Sequence, residues 1–234
     1  MITSRAAGAV TVIEIDRHER RNALDLDHCR QLQAAVEQAT GRAVVITGAG
    51  TSFCAGADLG GVYGPEFRQG LYGMLAAVAA VPVPVIAAVH GPAIGAGTQL
   101  ALACDLRVAA PAARFAVPTA RNGLAVDPWT IRRLGELAGG GTARAILLGC
   151  ETFDADFAHQ RGLVDRIGDV QAALAWASEL AGLAPLTHAY NKLALNGADP
   201  AAVDAAFEAC WDSRDQAEAE AARREKRAPR FIGR

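Results

Sequence analysis

The chain has 234 residues, 51% of them hydrophobic and 21% charged, a composition that excludes a disordered chain and suits one domain with a sizeable core. A formal net charge of -2 argues against a nucleic-acid surface, although a local basic patch for a phosphorylated ligand remains compatible with it. Cysteines at 29, 54, 104, 150 and 210 are odd in number and form no CxxC pair, which argues against a disulfide framework or a zinc site and for a reducing compartment.

Met1 to Val10 carries one arginine and no long apolar stretch, so it does not read as a signal peptide. The apolar run from Val78 to Val89 holds two prolines and is too short to span a membrane. A soluble cytoplasmic protein is expected.

In chain order, Val10 to Asp16 alternates β-branched residues with others and reads as a strand. Leu24 to Ala39 has a helical period, with Asp25 or Asp27 as its cap. Arg42 to Gly48 is a short apolar run ended by glycine, a buried strand. Glu66 to Ala80 reads as a helix that stops before Pro82. Val85 to His90 is another buried strand, Ala96 to Cys104 a helix of small residues, and Leu106 to Ala110 a strand. From Trp129 onward the pattern is mostly helical, with helices over 143–148, 154–161, 170–181 and 185–195 and a short strand near Val164 to Ile167. Ala201 to Arg227 reads as one long helix that becomes strongly charged. Strands alternating with helices, followed by a helical last third, give an α/β core with a helical tail region and no domain boundary.

Two glycine-rich turns each follow a buried strand. Gly48 to Leu59, GAGTSFCAGADL, is neither a dinucleotide fingerprint nor a phosphate loop, because Phe53 stands where a glycine is needed and no GK[ST] follows. Gly91 to Leu100, GPAIGAGTQL, puts backbone amides at a helix N-terminus, where the dipole favours an anion. Each turn read alone is compatible with ordinary strand-to-helix packing. Together they could each donate one N–H to the same oxygen, the design of an oxyanion hole.

Arg21-Asn22-Ala23-Leu24, then TGAGTSFCAGADL, then HGPAIGAGTQLALACDLRVAAP, resemble the landmarks of the enoyl-CoA hydratase/isomerase (crotonase) family in order and spacing, and EKRAPRF resembles the family's ending. The resemblance covers essentially the whole chain, with a short segment after Leu59 where a mobile loop is expected. It implies an α/β spiral of ββα units in a single domain, with an α/β core over about 1–185 and a helical trimerisation region over about 186–234. It also implies homotrimers, often paired into hexamers, and a coenzyme A thioester as ligand, with no covalent cofactor and no metal. The shared chemistry is stabilisation of a thioester enolate by two backbone amides, which by position belong to Ala57 and Ala96. Ala96 stands where the family usually has glycine; its N–H serves if the local φ suits a Cβ.

By the same resemblance, the two hydratase glutamates fall on Gln99 and Thr119, as in some actinobacterial members. Hydration needs a base for the water and an acid for the α-carbon; an amide and a hydroxyl supply neither near neutral pH. Losing such help typically costs about two to four orders of magnitude in rate. Asp127 stands where the related aroyl-CoA dehalogenases carry a nucleophilic aspartate. It is a candidate acid or base, and read as a residue alone it is a cap for a helix beginning at Pro128, two roles that can coexist.

Arg21, Ala23, Ala55, Gly56 and Asp58 are implied to surround the CoA thioester, with Asp58 supporting the turn. Lys226, Arg227 and Phe231 are implied to approach the nucleotide, in some members that of a neighbouring subunit; read as residues alone, the charges from Arg223 to Arg227 are a solvated helix end. His90 reads as a strand-end imidazole with its hydrogen bonds met, Cys54 as a small buried hydrophobe, and Trp129 equally as acyl-pocket wall or core. The expected function is acyl-CoA binding in fatty acid metabolism with weak or absent hydratase activity. The alternative is an active hydratase or isomerase using Asp127 or an ordered water.

Overall fold

A computed structural model describes residues 1–58 and 64–234; the expected mobile loop after Leu59 lies outside the described residues. Two sheets form the frame. The larger runs β1 (Ile2–Ala7), β2 (Val10–Ile15), β3 (Ala43–Gly48), β4 (Val85–Val89), β6 (Leu106–Ala109) and β9 (Arg166–Ile167) in that order. Only the β1–β2 pair is antiparallel. The smaller sheet joins β5 (Pro92–Ile94), β7 (Arg114–Ala116) and β8 (Thr152–Asp154).

The winding is a repeat of one strand in each sheet followed by a helix. β4 and β5 lead into α3 (Ala96–Ala103), and β6 and β7 lead into α4 (Pro128–Leu148). Two earlier turns follow the same path with single bridges in place of small-sheet strands. Leu24 pairs with Ala57 between β2 and α1 (Leu26–Glu37), and Cys54 pairs with Ala93 between β3 and α2 (Pro65–Ala80). This is the expected spiral of ββα units.

The central strands are buried on both faces, which is why β3 and β4 read as continuous apolar runs rather than alternating ones. One face packs Ile13, Ile15, Val44 and Ile46 against α1 and α2 through Leu32, Val36, Met74 and Val78. The other packs Val12, Val45 and Ile86 against Ala173, Ala177 and Ala181 of α6 (Val170–Ala181). Alanines four residues apart form one helix face and let α6 lie close to the sheet.

The remaining helices are α5 (Ala155–Gln160), α7 (Pro185–Leu195), α8 (Pro200–Trp211) and α9 (Arg214–Glu225). Two expectations are corrected. The long helix over Ala201–Arg227 is two helices: the chain breaks at Asp212–Ser213, and the Ser213 hydroxyl accepts from Gln216 N–H to start α9. The helix expected over 143–148 is the end of α4, which kinks at Gly139 (φ 78°, ψ 152°), a conformation that glycine alone adopts readily. Among the described residues no helix is long and apolar enough to cross a membrane.

Candidate active site

The turns after β3 and β4 are pressed together at the carboxyl ends of neighbouring parallel strands. Ile94 N–H donates to Cys54 O at 2.9 Å and Cys54 N–H to Pro92 O at 3.1 Å. Gly97 makes this approach possible: a Cβ there would sit 2.1 Å from Cys54 O. Gly95, with φ 53° and ψ -113°, supplies the turn into α3. Ala96 is the first residue of that helix and is not among the positive-φ residues, so its Cβ is accommodated.

The segment 17–24 braces the first turn. Buried Asn22 donates to Ala49 O (2.8 Å) and Ser52 O (2.7 Å) and accepts from Arg17 N–H (3.0 Å). Ala55 N–H donates to Arg21 O, Leu24 N–H to Gly56 O, and Asp58 N–H to Leu24 O, at 2.9, 2.8 and 2.7 Å. These bonds skip the amide of Ala57. Among the described residues neither the Ala57 nor the Ala96 N–H donates to a backbone carbonyl, and both residues line one cavity of about 250 Å³. Two unpaired amides on opposing turns facing one space fit an anionic oxygen.

Gln99 and Thr119 line the same cavity, with Ala55, Gly56, Tyr72 and Arg68. Gln99 stands one helical turn beyond Ala96 and is 4% exposed. Its Nε2 donates to Thr130 Oγ1 at 2.9 Å and approaches Asp127 Oδ1 at 3.5 Å. Asp127 is the N-cap of α4: its Oδ2 accepts from Trp129 N–H (3.1 Å) and Thr130 N–H (3.4 Å), and its Oδ1 from the Thr130 hydroxyl. Four donors converge on one carboxylate, which has about four acceptor positions. Leu124, Ala125 and Val126 line the cavity, and Asp127, next in the chain, is not among its lining residues.

Sequence reasoning missed Arg17, Arg68, Tyr72 and Thr130, which the fold brings in from separate elements. Burial, and next the Asp127 carboxylate, push the Tyr72 phenol above its ordinary value, so near neutral pH it is a neutral hydroxyl. Arg68 is an exposed cation at the cavity wall, and exposed Arg21 lies beside the first turn. Along α2, Tyr72, Ala76 and Ala80 recur every four residues on one face. Tyr72 lines the cavity, while Ala76 and Ala80 line a second groove of about 380 Å³ with Pro82, Trp129 and Leu193. Trp129 is thus both groove wall and core neighbour.

Lys226, Arg227 and Phe231 are not brought to this cavity. Phe231 O accepts from Arg42 Nη1 at 2.8 Å, and Arg42 precedes β3, at the opposite end of that strand from Gly48. Arg227 is paired with Glu218 (Nη2 to Oε2, 2.9 Å) and Glu225 (2.7 Å), while exposed Lys226 caps α9. His90 meets Gly50 O at 3.1 Å and Thr47 Oγ1 at 3.4 Å. Burial pushes the Cys54 thiol up to about 12, which leaves no thiolate near neutral pH. Among the described residues no cluster of His, Cys, Asp or Glu could hold a metal.

Arg17 ties the brace together. Its guanidinium donates to Ala23 O (2.9 Å) and Asp58 Oδ2 (2.9 Å) and lies 3.3 Å from Asp25. Burial raises the Asp25 carboxyl, but the His28 backbone and imidazole and Arg17 outweigh it, and the net shift is downward. That support is therefore present above the unfolded value near 3.8 and is lost as pH falls through the lower folded value. Arg17→Met is expected to cost about 2 kcal/mol in urea denaturation near neutral pH, and less below pH ~4. An unchanged midpoint would remove Arg17 from the brace.

Residues 5–233 match the family profile described as enoyl-CoA hydratase/isomerase. A Mycobacterium tuberculosis protein named "Probable enoyl-CoA hydratase echA6" is 47% identical over the whole of both chains. A "Crotonyl-CoA hydratase" of Syntrophomonas wolfei is 32% identical, covering 95% of this chain and 94% of its own. Among solved structures, an enoyl-CoA hydratase/isomerase family protein from Hyphomonas neptunium superposes with a TM-score of 0.92 at 29% identity, over 100% of this chain and 98% of its own.

Proposed function

The chain belongs to the enoyl-CoA hydratase/isomerase family, and from that premise we propose that it binds fatty acyl-CoA thioesters with little or no hydration of them. The observation that carries the reading is the composition of one cavity: the amides of Ala57 and Ala96, which donate to no backbone carbonyl among the described residues, beside Gln99 and Thr119. The amides can hold the thioester oxygen. Gln99 can hold a water but cannot take its proton, and Thr119 has no proton to lose near neutral pH. Asp127, its carboxylate accepting from four donors, is occupied as a cap.

The mainly apolar groove farther along the same face of α2, with Trp129 in its wall, supports a long acyl tail. Arg21 and Arg68 are the cations this chain offers near the site for the CoA phosphates. Lys226, Arg227 and Phe231 could serve only a neighbouring subunit's site. Exposed Phe207 (42%) and Trp211 (62%) on α8 support assembly through the helical region, as a trimer or a pair of trimers. A cytoplasmic location goes with acyl-CoA as ligand.

Asp127→Asn separates binding from an alternative in which Asp127 or an ordered water drives turnover. The expected result is crotonyl-CoA hydration at the background rate in both wild type and variant. Turnover in wild type that collapses in the variant would establish the alternative.

A further inference from the structure

The mainly apolar groove along α2 carries two polar side chains, Lys192 in the last turn of α7 and Asn196 at that helix's C-cap. The other walls are alanines with Pro82, Trp129 and Leu193. Lys192 is 8% exposed. Its ammonium donates to Val83 O (3.1 Å) and pairs with Asp105 Oδ2 (2.8 Å), which leaves one of its three N–H groups without an acceptor among the described residues. The Asn196 amide has a fixed direction. Ala79 O can only accept, so Nδ2, 3.0 Å away, must face it, and Oδ1 is turned elsewhere. No donor among the described residues reaches that oxygen. One free donor and one free acceptor thus stand in one groove, a helical turn apart.

We propose that this pair receives the far end of the acyl tail and selects a terminal hydroxyl, so that the preferred ligand class is a long-chain ω-hydroxyacyl-CoA. The inference rests on the acyl-CoA-binding reading, with the tail lying along α2, and names the ligand within it. A hydroxyl accepts one hydrogen bond and donates another, so it satisfies Lys192 and Asn196 together. A methyl end displaces water from both and replaces neither bond. A carboxylate end has no proton for Asn196 and shares the ammonium with Asp105, a like charge. The fold also sets the length. Tyr72, at the cavity, and Ala80, in the groove, stand about 12 Å apart along the axis of α2. An extended chain advances about 1.2 Å per bond, so a tail of roughly ten carbons or more reaches the pair.

The test is calorimetric titration of wild type with dodecanoyl-CoA against ω-hydroxydodecanoyl-CoA, and with hexanoyl-CoA against ω-hydroxyhexanoyl-CoA. The long hydroxylated thioester is expected to bind about tenfold tighter than its parent. The short pair, which ends before the groove does, should show no preference. The CoA monothioester of dodecanedioic acid should bind no tighter than dodecanoyl-CoA. Lys192→Met and Asn196→Ala should each bring the long-chain ratio close to one. Asn196 is exposed, so its variant decides the matter if Lys192→Met does not fold. Equal long-chain affinities in wild type, a preference that survives Asn196→Ala, the same preference in the short pair, or tightest binding by the carboxyl-ended thioester would each overturn the inference while leaving acyl-CoA binding intact. Binding of none of the thioesters would overturn the acyl-CoA reading itself.

Discussion

Gly97→Ala is expected to lower stability by about 3 kcal/mol and to weaken acyl-CoA binding by more than a hundredfold. The added Cβ would meet Cys54 O at 2.1 Å and Cys54 C at 2.9 Å. Both are backbone atoms, and neither can swing aside. Cys54 O is also the acceptor for Ile94 N–H, and Cys54 N–H donates to Pro92 O, so relief of the clash must part the two turns. Parting them separates the Ala57 and Ala96 amides, whose convergence is the whole of the proposed oxyanion hole. Gly95→Ala makes the informative comparison. Nothing lies within 4 Å of its added Cβ, so the variant carries only the backbone strain of φ 53° and ψ -113°, roughly 1–3 kcal/mol. Urea denaturation and calorimetric titration read both variants; a Gly97→Ala protein that melts and binds like wild type would refute the assignment of the hole.

The second large effect is a gain. Gln99→Glu/Thr119→Glu is expected to raise crotonyl-CoA hydration by about two orders of magnitude, because on the proposed reading it supplies a base and an acid beside the proposed oxyanion site. The surroundings of position 99 shape the result. A carboxyl there lies near Asp127, whose Oδ1 is 3.5 Å from the present amide nitrogen, and the Thr130 hydroxyl is already committed to Asp127. The new carboxyl thus meets a like charge and no donor, and its pKa rises. The rate should climb as pH rises through that raised value. Continuous assay of the double variant against wild type checks this. No gain in a folded, acyl-CoA-binding variant would mean that the side chains at 99 and 119 are not what limits hydration.

Much of the frame was readable from the residues. β3 and β4 announce themselves as apolar runs because both faces of the large sheet are covered. The three-residue strands β5, β7 and β8 carry no periodicity of their own, being too short, and become strands only through their partners. The break between α8 and α9 did have a local signal, Asp212–Ser213, which the alanine-rich flanks on either side masked.

At the site, Ala57, Ala96, Gln99 and Thr119 come from segments whose motifs are contiguous, and the cavity brings all four together. Tyr72 and Thr130 belong to helices whose motifs say nothing of the site, and they reach it only through the packing of α2 and α4 against α3. The cap formed by Asp127, a role compatible with its candidate acid or base role, also needed the fold to be seen. The sequence permits a cap and a catalytic acid alike, and in the structure its oxygens accept from Trp129, Thr130 and Gln99.

The central claim is that this site holds an acyl-CoA thioester and stops there. Calorimetric injection of a long-chain 2-enoyl-CoA into the wild-type protein tests it most directly. Discrete heats that saturate and return to baseline after each injection are the expected result. Heat that continues after each injection, from turnover at a site with Gln99 and Thr119 intact, would contradict it.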